Sequence, residues 1–240
     1  MIEIRSDVLL PSEREPIVLT TDDGLRLVGE LALPMNGKPT ATMITLHPLP
    51  THGGFMDSHI FRKAANRLPE MANLAVLRFN TRGTESPHGR SEGHFEQGIG
   101  EAADLRAAVA FAIERGLPNL WLVGWSFGTE LALKYGSGQP IIGAILLAPP
   151  LHRATQEEVD AWSDNGKELV VLVPEFDDYL IPEQAKVRFK NVHQAEVIGV
   201  DGAKHLWVGE QATYRVLNEI VRLLNPSAYP LPKTWPDLVP

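Results

Sequence analysis

Ser126 stands at the centre of "GWSFG", residues Gly124 to Gly128, a match to G-x-S-x-G. A serine hydroxyl is a weak nucleophile. It needs a base within hydrogen-bond reach and a third group to orient that base. The pentapeptide alone is a weak signal, but its surroundings sharpen it. An apolar run, "NLWLVGW", precedes it, and a helical stretch, "FGTELALKYG", follows. A buried strand that reverses into a helix within one residue forces that residue into strained backbone geometry, and flanking glycines let strand and helix approach closely. The hydroxyl is lifted above the strand end, where the amides of a helix N-terminus favour developing negative charge. A serine that merely capped the helix would not need both glycines. This spacing therefore predicts a nucleophile, with a structural turn as the alternative.

The elements that must hold such a serine follow from periodicity. "PIVLTT" and "LRLVGELAL" flank Asp22 to Gly24 and read as a hairpin. From Ala41 onward short apolar runs alternate with helical patterns. The strand runs are "ATMITLH", "LAVLRFN", "NLWLVGW", "PIIGAILLA", "KELVVLVP" and "QAEVIGV". The helical patterns include Phe55 to Leu68, Glu101 to Gly116 and "VGEQATYRVLNEIVRLLN", whose apolar residues share one broad face. Repeated strand–helix alternation implies an α/β fold, a mostly parallel sheet with helices on both faces. The leading hairpin should extend it with antiparallel strands. The expected organisation is one domain over residues 1–225 and a tail over 226–240. That tail, "PSAYPLPKTWPDLVP", is proline-rich and should be extended. Tyr229 and Trp235 suit packing, either as a strap across the same domain or as a contact in a homodimer, and a disordered end is the remaining reading.

Composition narrows the function classes. With 44% apolar and 22% charged residues in 240, the chain can bury a sizeable core. A formal net charge of −8 argues against nucleic acid or an anionic membrane as partner. The absence of cysteine excludes disulfides, thiolate metal sites and a cysteine nucleophile. No stretch reaches the roughly 18 apolar residues of a membrane span. The opening "MIEIRSDVLLPSERE" has too short an apolar run for a signal peptide, so a cytoplasmic location is expected.

With these residues in view, the chain resembles the α/β-hydrolase superfamily from about Ile17 to Leu224. "LHPLPTHGGFM", "LRFNTRGTESPHG" and "GIGEAADLRAAVAF" are similar to a subgroup of small, cap-less bacterial serine hydrolases. Their opening is usually His-Pro-His-Pro-x-x-Gly-Gly, and Leu49 stands where the second His is usual. The resemblance implies the chain order Ser, acid, His. His205, in "DGAKH" between the last strand and the last helix, is then the expected base; His88, His94, His152 and His193 have nothing to single them out. The acid should follow "KELVVLVP", where Asp177 and Asp178 are adjacent. Aligning the family pattern Gly-x-x-Asp-x-x-x-Pro on Pro182 selects Asp178, with Asp177 as the alternative. The implied oxyanion donors are the amides of Phe127 and Leu49, since Pro48 and Pro50 have no N–H.

Some residues remain open. Trp125 either walls a substrate pocket or belongs to the core. His47 is a candidate for substrate contact but fits better as a brace for its loop. Arg82 in "NTRGTES" is structural or contacts substrate. His47, His52, Asp57 and His59 invite a metal, yet no H-E-x-x-H occurs and they share no helix face. No nucleotide motif is present, and no metal or other cofactor is expected. The connection from Pro149 to Gly166 is too short for a cap domain, which predicts an open, shallow site. The expected function is a serine esterase acting on a small-molecule ester, thioester or amide through an acyl-enzyme. The alternatives are acyl transfer by the same residues and a non-catalytic ligand-binding protein on the same scaffold.

Overall fold

The computed structural model describes residues 1–5 and 7–236. In chain order the strands are β1 (Ile2–Glu3), β2 (Glu13–Thr20), β3 (Arg26–Leu33), β4 (Ala41–Leu46), β5 (Leu74–Phe79), β6 (Glu85–Ser86), β7 (Gly89–Arg90), β8 (Leu120–Trp125), β9 (Gly143–Leu147), β10 (Glu168–Phe176), β11 (Ala195–Lys204) and β12 (Thr234–Trp235). The α-helices are α1 (His59–Ala72), α2 (Glu101–Glu114), α3 (Phe127–Tyr135), α4 (Gln156–Asp160), α5 (Pro182–Arg188) and α6 (Glu210–Leu224). The first helix begins four residues later than the sequence suggests. Phe55 to Ser58 instead form a turn, closed by the Ser58 amide donating to the Phe55 carbonyl at 2.9 Å.

Eight strands form the central sheet in the order β11-β10-β9-β8-β4-β5-β3-β2. From β5 to β11 every pairing is parallel, while β3 pairs antiparallel with both β5 and β2. The hairpin thus caps one side of a parallel sheet, as its Asp-Gly turn implies. Strands β4, β5, β8 and β9 are buried along their whole length. That explains their unbroken apolar runs: both faces carry helices, so neither face needs polar residues. Side chains from α1 and α6 fill one face of the sheet and those from α2, α3, α4 and α5 the other. No helix among the described residues is long and apolar enough to cross a membrane.

The topology decides where a site can form. The chain leaves β4 through α1 to β5 on one side, then returns through α2 to β8 on the other side of β4. Loops beyond the carboxyl ends of β4 and β8 therefore diverge and leave a crevice at the switch point. His47–Gly54 and Ser126 lie on those two loops. Between β9 and β10 the only helix is the short α4, so nothing domain-sized covers the crevice.

The tail is tied down as far as it is described. Strand β12 pairs with β1, and the Leu231 amide donates to Asn218 Oδ1 at 2.9 Å. Tyr214 donates its hydroxyl to the Leu231 carbonyl at 2.6 Å. Leu231 is 3% exposed and joins the core beside α6. The last four residues of the expected tail lie outside the described residues.

Candidate active site

Ser126 has φ 52° and ψ −117°, a left-handed conformation that a residue with a Cβ adopts only under constraint. Backbone bonds supply that constraint. The Ser126 amide donates to the Leu147 carbonyl of the neighbouring β9 at 2.9 Å. Its own carbonyl accepts from the Thr129 amide at 2.9 Å and the Thr129 hydroxyl at 2.6 Å. Both flanking glycines are sterically required. A Cβ at Gly124 would lie 2.4 Å from the Gly128 carbonyl oxygen, and one at Gly128 would lie 1.9 Å from that of Leu46. No heavier side chain fits either place. Strand β8, helix α3 and strand β4 are in backbone contact here, which leaves the Ser126 side chain as the projecting vertex.

His205 follows β11 directly. Its Nε2 lies 2.9 Å from Ser126 Oγ, and its Nδ1 lies 2.9 Å from Asp177 Oδ2. The imidazole is 10% exposed. The Trp125 indole N–H donates to the His205 carbonyl at 3.1 Å, and the Tyr179 ring meets the imidazole edge-on at 4.7 Å. Trp125 is 3% exposed and packs edge-on against Phe61 and His59. It is core and pocket wall at once.

Asp178 is not the carboxylate that reaches His205. It is exposed, beside a separate small cavity of about 260 Å³. Asp177 is the buried one, with its side chain 1% exposed. Its Oδ1 accepts the amides of Tyr179 at 2.9 Å and Leu180 at 3.3 Å, an Asx-type turn that aims Oδ2 at the imidazole. The spacing argument failed by one residue. Counting back four from Pro182, the first residue of α5, assumes a loop of fixed length, and this turn spends one residue more.

Leu49 and Phe127 both border the site, and among the described residues neither amide donates to a protein acceptor. Leu49 precedes a single 3-10 turn, Pro50–His52, at φ −56°. The loop is fixed from below by His47. Its Nδ1–H donates to the Pro48 carbonyl at 2.7 Å, while Nε2 accepts the Thr81 amide at 3.0 Å. The ring is fully buried, and desolvation pushes its pKa down to about 4. His47 is therefore a neutral brace between the loops after β4 and β5. The expectation that it contacts substrate is corrected, because both ring nitrogens are committed and no face of the ring reaches the cavity.

Arg82 is equally committed. It is 2% exposed, and its guanidinium meets Asp104 at 2.9 Å, Glu96 at 2.8 Å and Asp23 at 3.0 Å. Its role is to clamp the loop after β5 onto α2. The remaining candidates for a metal diverge: His52 turns to Thr51, Asp57 to Arg78 and His88, and His59 to the Leu206 carbonyl. Among the described residues no three such side chains could hold an ion together.

Ser126 opens into a cavity of about 420 Å³. Three of its lining residues, His152, Arg153 and Tyr179, escaped the sequence reading. One signal was available for the first two. They follow β9 by only a few residues, and loops just beyond the carboxyl ends of parallel strands face the site in this class of sheet.

With Ser126, His205 and a buried carboxylate joined by hydrogen bonds, the site can move a proton off a serine hydroxyl. Comparisons with known proteins place the fold. The alpha/beta hydrolase family matches residues 51–176. An uncharacterized protein of Rickettsia prowazekii is 32% identical over 113 residues, which span 45% of this chain and 45% of that protein. The chain thus spans under half the length of that curated relative. Among solved structures, an alpha-beta serine hydrolase homologue from Coxiella burnetii superposes with TM-score 0.71 at 25% identity, over 89% of this chain and 96% of that one. A serine hydrolase without lid from Xanthomonas campestris superposes with TM-score 0.70 at 26% identity, over 95% of this chain and all of that one.

Proposed function

Since the chain belongs to the alpha/beta hydrolase family, we propose that it is a serine esterase whose catalytic residues are Ser126, His205 and Asp177. The observation that carries this reading is the unbroken relay from Ser126 Oγ through His205 to Asp177, each link 2.9 Å. Ser126 Oγ attacks the carbonyl carbon of an ester or thioester while His205 Nε2 takes the hydroxyl proton. Asp177 holds Nδ1–H and stabilises the imidazolium that forms. The amides of Leu49 and Phe127 receive the oxyanion, each donor contributing about 3 kcal/mol to transition-state stabilisation. The tetrahedral species collapses to an acyl-enzyme as the leaving group takes the proton from Nε2. Water, deprotonated by the same nitrogen, then releases the acid.

The absence of a cap between β9 and β10 favours acyl groups of modest size over long chains that need a sealed channel. A fluorophosphonate probe should label Ser126, and short p-nitrophenyl esters should be cleaved by the wild type but not by Ser126→Ala. A folded wild type that neither takes the label nor outpaces Ser126→Ala on any ester or thioester would refute the reading. Competing alcohols or amines added to the ester assay would reveal any acyl transfer as a new ester or amide product.

A further inference from the structure

The cavity around Ser126 is lined by a single arginine, in a protein of net negative charge. The chain carries a net charge of −8, yet the side chains lining this cavity include Arg153 and the imidazoles of His52, His152 and His205. The one carboxylate among them is Glu130, and it is fully buried on α3. Glu130 Oε1 accepts the Arg153 backbone amide, and Oε2 lies 3.4 Å from one guanidinium nitrogen. Glu130 is thus spent on holding Arg153.

Other contacts fix the same residue. The Lys134 ammonium donates to the Arg153 carbonyl at 3.2 Å, and the Arg153 guanidinium carbon sits 5.6 Å from the centre of the Phe127 ring. Phe127 is the residue whose amide is offered to the oxyanion. A guanidinium has five N–H donors. Here one meets Glu130, and among the described residues the others meet no protein acceptor. Two of the buried arginines differ: Arg82 and Arg78 each meet carboxylates with more than one nitrogen. Arg153 is therefore a held, partly exposed cation with spare planar donors beside the reacting centre. That fork matches a carboxylate, which it can bind through two parallel hydrogen bonds.

We propose that Arg153 is a specificity-determining residue and that the preferred substrate is an ester or thioester bearing a second, carboxylate group, seated over Phe127 against this guanidinium. The proposal rests on the serine esterase reading and deepens it. His152 and His52 supply further N–H donors at the mouth of the same cavity, and neither is needed to hold Arg153.

Two pairs of isosteric esters test it. On the acyl side, mono-p-nitrophenyl adipate is compared with the ester in which its free acid is a carboxamide. On the leaving-group side, para-carboxyphenyl acetate is compared with para-carbamoylphenyl acetate. The wild type should favour the charged member of one pair by at least about tenfold in kcat/KM, the range of a charge-assisted hydrogen bond, and the pair that responds identifies which half of the substrate carries the anion. That preference should collapse in Arg153→Gln, survive in part in Arg153→Lys and narrow as salt is raised. Equal rates for charged and neutral members of both pairs, or a preference that persists in Arg153→Gln, would overturn the proposal. If Arg153→Gln does not fold, the Lys variant and the salt dependence of the wild type decide. Fluorophosphonate labelling of Ser126 separates the two ideas: label with no charge preference sinks only the role of Arg153, whereas no label sinks the esterase reading beneath it.

Discussion

Two neighbouring carboxylates divide one chemical task unequally. Asp177 has its side chain 1% exposed and bonded to His205, while Asp178 faces solvent. The relay predicts a large asymmetry. Asp177→Asn should lower kcat by about three to four orders of magnitude, because the amide holds the imidazole in the wrong tautomer. Asp178→Asn should change kcat less than about threefold, within the range expected for an exposed position. Steady-state ester hydrolysis of the two variants checks this, and equal losses would remove Asp177 from its proposed role. Ser126 shows how strain is held at the same scale. Its backbone conformation costs roughly 1–3 kcal/mol, offset by its bonds to Leu147 and Thr129.

Single elements carry two further expectations. Helix α3 can start directly after β8 only because Gly128 lies against the Leu46 carbonyl. Gly128→Ala should therefore push α3 away from β4 and destabilise the protein by about 2 kcal/mol or more, read as a lowered urea midpoint. The loop after β4 is tested differently. Leu49 has φ −56° and its amide meets no protein acceptor among the described residues, so proline suits the backbone there and deletes the N–H, while Leu49→Ala controls for the loss of the side chain that packs on the core. Leu49→Pro should keep its fold by circular dichroism and lose roughly 100-fold in kcat; an undiminished kcat would exclude this amide as an oxyanion donor.

Across the whole molecule, two connections join distant parts of the chain. His47 ties the loops after β4 and β5 as a neutral ring with a pKa near 4. In the unfolded chain the same group titrates near 6.5. Between those values the unfolded state binds a proton that the folded state refuses, so stability falls as pH drops from about 6.5 to about 4. The total is roughly 3 kcal/mol. Denaturant titrations at a series of pH values should show this slope in the wild type, reduced by about one proton in His47→Gln. The second connection is the tail. Leu231→Ala removes the side chain that the tail buries beside α6. It should cost about 2–4 kcal/mol and lower Tm by roughly 5–10 °C, with ester hydrolysis at 25 °C unchanged. A Tm equal to that of the wild type would mean that the tail does not clamp this face.

Much of this protein can be read without coordinates, for reasons that are local. The alternation of apolar runs with helical periods requires a parallel sheet, because strands buried on both faces need covering on both. The vertex at Ser126 is equally legible, since strand, glycine, serine, glycine and helix are contiguous and their sterics are settled within five residues. The position of His205 at a strand end follows from the same order of elements. What the line of residues could not decide is which way loop side chains turn. The choice of Asp177 over Asp178, the burial of His47 and the aim of Arg153 into the cavity each depend on contacts between segments far apart in the chain. His47 meets a loop 34 residues away, and Asp177 meets a ring 28 residues away. Spacing along a chain constrains neighbours; a side chain that must choose between solvent, a brace and a cavity is oriented only when the packed elements close around it.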